Sequence, residues 1–170
     1  MALVVEDGTG LANADSYQSL VDADTYAANY GLTNWNAKAA SPGVDDAEKE
    51  VALRNATLII DTCRNYLSEK LNSDQSLEFP RLDPAIGMPQ RVRDAAVVLA
   101  DLYLTGVDLY QPAEIIKEIA VGVGRNAVME SKKYDSPFVI DSTIRAFKLI
   151  EDYSTGDPNS GFRNICLLRN

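Results

Sequence analysis

A chain of 170 residues with 46% hydrophobic and 24% charged side chains has the balance of one globular domain, which excludes disorder throughout. The net charge of −9 is uneven: residues 1–50 hold nine acids and two bases (net −7), and the rest holds sixteen acids and fourteen bases (net −2). Backbone phosphates are held by lysine and arginine, so this balance argues against a general nucleic-acid binder.

In chain order, Ala2–Glu6 reads as an edge strand or extended arm that ends in the turn-rich Asp7-Gly8-Thr9-Gly10. Asp22 and Asp24 place acid in the first turn of a short helix, where the helix dipole favours it, and Gly31 sits at the expected C-terminal cap. Residues 32–44 read as a loop around Trp35, the only tryptophan and a packing anchor. A long helix is expected over 45–67, capped by Asp45 or Asp46. Its buried face is Val51, Ala52, Ala56, Ile59, Ile60, Cys63, Tyr66 and Leu67.

Residues 68–88 break the pattern and form a long loop, of the kind that contacts partners. Pro89 then suits a first helical position, and Val92, Ala95, Ala96, Leu99, Leu102 and Tyr103 mark a second strong helix ending at Gly106. These two long helices are expected to pair. Val-rich pieces around Gly124-Arg125-Asn126 suggest a hairpin over 119–129. A last helix runs from about Phe138 or Asp141 to Tyr153, with Ile140, Ile144, Phe147 and Ile150 as its stripe. The expected architecture is mainly α: a bundle of about four helices, a short β-hairpin, and extended N- and C-terminal arms. The helical domain covers residues 1–153, and a flexible linker with a C-terminal arm covers 154–170.

Chemistry has little to stand on. Histidine is absent, which removes the commonest general base near neutral pH and the commonest metal ligand. There is no Gly-rich phosphate loop and no nucleophile elbow. Asp22 with Asp24, or Asp45 with Asp46, could supply paired carboxylates, but neighbours this close on a helix do not converge on one site. We therefore expect no enzyme, no cofactor and no metal. Cys63 reads as a small buried hydrophobe. A disulfide to Cys166 stays open, although a cytoplasmic origin argues against it. No apolar run approaches the ~20 residues that cross a bilayer, and the start of the chain lacks the features of a secretory signal. No membrane partner is expected.

Several short motifs occur in a familiar order. Glu6-Asp7-Gly8-Thr9-Gly10, Ala14-Asp15-Ser16-Tyr17 and Asp22-Ala23-Asp24-Thr25-Tyr26 come first. Trp35, Ala52-Leu53 with Ala56-Thr57, Phe79-Pro80-Arg81, Pro89 and Val121-Gly122-Val123 follow. This order resembles a bacteriophage family labelled both head-to-tail connector (adaptor, or neck) protein and DnaT-like single-stranded-DNA-binding protein. Phe79 departs from the tryptophan often found there, and the tail after Ser154 has no counterpart.

The resemblance implies a structural virion protein, made in the host cytoplasm, that forms a ring below the portal. Its partners would be the portal protein, a tail or neck completion protein, and copies of itself in a dodecamer. The genome would pass through the ring without sequence-specific binding, and acidic walls suit that passage. Candidate subunit contacts are Phe79, Pro80 and Arg81 in the long loop and Val121, Val123 and Val128 in the hairpin. The candidate portal-binding arm is Phe162, Ile165, Leu167 and Leu168, which could add a strand to a portal edge. The alternative reading is single-stranded-DNA binding in phage replication. That reading needs a basic groove and exposed aromatic platforms, for which Arg81, Arg91 and Arg93 are the only basic cluster in the sequence and the eight tyrosines the available rings.

Overall fold

The computed structural model describes residues 2–38, 44–83, 86–106 and 141–155. In chain order the helices are α1 (Leu20–Tyr30), α2 (Thr33–Ala37), α3 (Val44–Cys63), α4 (Gln90–Tyr103) and α5 (Asp141–Leu149), followed by a 3₁₀ turn at Glu151–Tyr153. The fold is mainly α, as the periodicity predicts. Among the described residues no sheet forms; there are only isolated bridges, such as Val5 with Ser16 and Lys70 with Arg81. The expected hairpin over 119–129 and the arm at Phe162, Ile165, Leu167 and Leu168 lie outside the described residues, as do Val121, Val123 and Val128.

Helix α1 begins two residues before the expected Asp22. The Ser19 hydroxyl accepts the Asp22 N–H at 3.1 Å and donates to the Asp22 carboxylate at 2.8 Å. That reciprocal cap is worth about 1 kcal/mol. Gly31 ends the helix in the left-handed conformation at φ 67°, where glycine carries no steric penalty. The supposed loop around Trp35 contains α2. Asp101 of α4 accepts the Trp35 backbone N–H at 2.7 Å, and Asp24 accepts the indole N–H at 2.7 Å. A short element of poor propensity is thus held by tertiary bonds rather than by its own pattern.

Helix α3 stops at Cys63 rather than running to Leu67. Ala52, Leu53, Ala56, Ile59 and Ile60 face the core, while Val51 points outward and is 44% exposed. Helix α4 packs against both α3 and α5 and also touches α1 and α2. Its residues Ala95 to Leu102 are buried without a break, as suits a helix enclosed on every side. Small side chains on both long helices, Ala52 and Ala56 opposite Ala95, Ala96 and Ala100, keep the layers close. Ala146, Phe147 and Ile150 close the core from α5 and the residue after it.

The N-terminal segment is extended but does not protrude. Asp15 N–H bonds to Val4 C=O at 2.8 Å, and Glu6 N–H bonds to Ser16 C=O at 2.9 Å. The Glu6 carboxylate is fully buried and gathers three backbone N–H groups, from Gly8, Gly10 and Leu11, each at 2.9 Å. This accounts for the Glu-Asp-Gly-Thr-Gly motif. Gly10 has φ 80°, and a Cβ there would stand 3.1 Å from Asn72 Cβ and from the Gln75 side-chain oxygen. In Glu6→Gln the amide group must face at least one of those donors, and charge-assisted bonds are lost. We expect a stability loss of about 2 kcal/mol, read as a lower urea midpoint. An unchanged midpoint would show that the carboxylate does not organise the turn.

At the other end, Ser154 and Thr155 are still tied to the domain. Ser154 bridges to Tyr66, and Thr155 N–H bonds to Asn65 C=O at 2.9 Å. Cys63, expected as a buried hydrophobe, is only partly buried and is disulfide-bonded. The chain's other cysteine, Cys166, lies outside the described residues.

Candidate interaction surfaces

The long loop after α3 is ordered by its own side chains. Gln75 accepts the Asn72 N–H at 2.9 Å and donates to the carbonyls of Leu77 at 2.8 Å and Pro80 at 3.1 Å. Ser76 joins the loop to the N-terminal segment through the Leu11 carbonyl at 3.0 Å and the Ala14 carbonyl at 2.6 Å. Phe79 is completely buried, with ring centroids of Tyr66 at 4.7 Å, Tyr17 at 6.1 Å and Tyr153 at 6.2 Å, all edge-on. The Arg81 guanidinium lies 5.2 Å from the Tyr66 ring and 5.3 Å from the Phe79 ring, and donates to Glu78 at 2.6 Å. Pro80 is buried too.

The three loop residues expected at a subunit contact are thus taken up by the domain's own core. Their outward neighbours are exposed instead. Leu71 N–H bonds to Pro80 C=O at 3.1 Å, and Leu82 N–H bonds to Glu69 C=O at 2.9 Å. Side chains alternate across this short antiparallel ladder, so Leu71 and Leu82 face away from Arg81. They are 40% and 54% exposed, and Leu67 nearby in sequence is 41% exposed. No motif could have singled out these leucines, because a single apolar residue in a loop has no period.

Beneath the loop, the Tyr17 hydroxyl donates to the Asp61 carboxylate and accepts the Phe79 N–H at 3.1 Å. The Glu78 N–H reaches the other Asp61 oxygen at 3.3 Å. Burial pushes the Asp61 carboxyl up to about 7, although the Tyr17 and Glu78 hydrogen bonds pull the other way. Burial also holds the Tyr17 phenol well above its ordinary value, with Asp61 adding to the effect.

Each of the three arginines of the sequence cluster is engaged separately. Arg81 is buried, exposed Arg91 pairs with Asp152 at 2.8 Å, and Arg93 donates to the Glu6 carbonyl at 3.4 Å. Tyr17, Trp35 and Tyr66 are core residues, as expected of rings that pack. Tyr30 is different. It is 58% exposed, stacks on Tyr26 with centroids 4.3 Å apart and rings tilted by 30°, and has the Arg145 guanidinium 5.5 Å from its ring.

A groove of about 430 Å³ lies between the start of α3 and the end of α4, lined by Ala47, Val51, Tyr103 and Leu104, with Lys38 and Glu48 paired at 2.6 Å at its edge. Asp22 and Asp24, one of the two candidate carboxylate pairs, are otherwise engaged. Asp22 is held by Ser19, and Asp24 accepts Trp35 and the buried Lys49 at 2.7 Å. Among the described residues no cluster of acids and cysteine could hold a metal, and no helix is long and apolar enough to cross a membrane.

Residues 1–135 match the model of the family described as "Putative DnaT-like ssDNA binding protein". No curated protein and no solved structure matches the chain.

Proposed function

The chain belongs to that DnaT-like family, whose description points to single-stranded-DNA binding; on the motif order and the build of the long loop we propose that it is a structural subunit of a bacteriophage virion, a head-to-tail connector that makes and breaks no covalent bond. In this reading copies form a dodecameric ring beneath the portal, join it to the tail or neck completion protein, and surround the channel through which the genome leaves. The carrying observation is the division of labour in the long loop. Phe79 and Arg81 are spent on the core, while Leu67, Leu71 and Leu82 stand in solvent and the partly exposed Lys70 pairs with Glu78. Exposed aliphatic side chains suit a protein partner and offer nothing to a phosphate. The order of sequence motifs and the acidic first third support the same reading. A closed ring needs two different patches per subunit, and the loop leucines supply one of them.

The test is to mix purified chain with portal and examine the product by electron microscopy. Rings on the portal are expected, and Leu82→Ser together with Leu71→Ser should abolish them while leaving the monomer folded. A chain that stays monomeric and ignores portal at every concentration would defeat the proposal.

The second reading is binding of single-stranded DNA. The family description and the exposed Tyr30 ring, stacked on Tyr26 beside Arg145, favour it. Titration of a labelled oligonucleotide at several salt concentrations separates the two, because strand binding weakens as salt rises. On the connector reading no binding tighter than micromolar is expected even at low salt.

A further inference from the structure

Single-stranded nucleic acid is held by two chemical parts: a ring on which a base stacks, and cations that meet the flanking phosphates. Most aromatic side chains of the described residues cannot serve, since Tyr17, Trp35, Tyr66, Phe79 and Phe147 are all buried. Tyr30 can. It occupies the last turn of α1, one turn after Tyr26, and the two rings form a tilted stack. Gly31 follows it in the left-handed conformation and ends the helix there. On the neighbouring α5, Arg145 lies against the Tyr30 ring, and Lys148 is exposed three residues further on.

We infer that Tyr26, Tyr30 and Arg145 form a stacking step for one unpaired base of a single-stranded nucleic acid, with Arg145 and Lys148 meeting the adjacent phosphates. This rests on the second reading above and gives it a place on the molecule. The step is small and its surroundings are partly acidic. Burial raises the Tyr26 phenol, Asp94 of α4 adds to that, and Arg145 lowers it. The Asp94 carboxylate accepts Gln90 at 3.0 Å. Two cations against one acid give a weak site with a shallow salt dependence. Two phosphate contacts correspond to a slope of about −1.4 in log affinity against log salt.

The experiment is fluorescence anisotropy of a labelled oligothymidylate on the full chain at low salt, with Tyr30→Leu, Arg145→Gln and Asp94→Asn. Tyr30→Leu keeps apolar bulk at an exposed position and removes only the π face. It should weaken binding by about 5- to 150-fold, the span set by one lost base stack. Arg145→Gln should flatten the salt slope by about 0.7, and Asp94→Asn should tighten binding. A duplex of equal length should bind much more weakly, because its bases are not free to stack.

If the wild-type chain binds the strand and Tyr30→Leu binds equally well, the stacking step is overturned while the second reading stands. Equal affinity for duplex also overturns it. A wild-type chain that binds no oligonucleotide even at the lowest salt defeats the stacking step and the second reading together. Circular dichroism of each variant confirms that a lost signal reports binding and not folding.

Discussion

Phe79→Ala should destabilise the domain by about 3–5 kcal/mol, the range for removing a large buried aromatic. The ring is wholly enclosed, and Tyr17, Tyr66 and Tyr153 meet it edge-on while Arg81 lies against its face. These come from the N-terminal segment, the stretch just after α3, the turn after α5 and the long loop, so no single element can collapse into the void. Arg81 also loses one of its two ring partners and keeps its place mainly through Glu78 and the Ser68 carbonyl. A lowered melting temperature, by roughly 6–20 °C for a domain of this size, is the measurement. Leu82→Ser, three residues on and 54% exposed, should stay within about 0.5 kcal/mol of the wild type. If Phe79→Ala cost less than 1 kcal/mol while Leu82→Ser cost several, the division between core and contact residues in this loop would be reversed.

Acidification should strengthen the fold locally at Asp61. Its carboxyl is raised from 3.8 to about 7, so the folded chain holds this proton more tightly than the unfolded one does. A raised carboxyl contributes stability that is full below its unfolded value and is lost as pH climbs through the folded one. From pH 4 to 7 this single group therefore works against the fold, by about 2–4 kcal/mol over the whole window. Neighbouring groups set the same balance: Tyr17 from the N-terminal segment, Glu78 and Lys70 from the loop. Asp61→Asn removes the titration, so the gap in urea-unfolding free energy between variant and wild type should shift in the variant's favour between pH 5 and pH 8. A gap that stays constant across that range would mean the carboxyl titrates alike in folded and unfolded chains.

The parts of this architecture that sequence made visible are those with period and punctuation. The stripe of α4 and the alternating threes and fours of α3 locate both helices, and Gly31 marks the end of α1. Helix α2 was hidden because its anchors, Asp24 and Asp101, come from other helices. Val51 seemed to belong to the buried face of α3, but residue type alone cannot say which side of a helix meets a neighbour when apolar residues exceed what the core can take. The end of α3 at Cys63 was equally hidden, since Tyr66 and Leu67 keep the apolar spacing after the helix has stopped. Tyr66 turns inward, its hydroxyl donating to Ile60 C=O at 2.6 Å, while Leu67 stays in solvent.

At the interaction surface the motif Phe79-Pro80-Arg81 stands out as part of a long loop, of the kind that contacts partners. The same trio also makes a good plug for a loop. Burial is decided by which strand face turns inward, and that is set by the Gln75 and Ser76 hydrogen bonds, which no local pattern reveals. Tyr30 was legible only as one of eight tyrosines. Its exposure and its neighbour Arg145 depend on how α1 and α5 each pack on α4.

Helix α4 sits at the centre of the bundle, yet it is made only after α1, α2 and α3, with 89 residues ahead of it. A nascent chain leaving the ribosome carries α1, α2 and α3 with their apolar faces bare until residues 90–103 emerge. Trp35 lacks its Asp101 acceptor for as long. Translation speed over the stretch before α4 consequently sets how long the growing polypeptide is exposed to wrong partners, and host chaperones have their opening there.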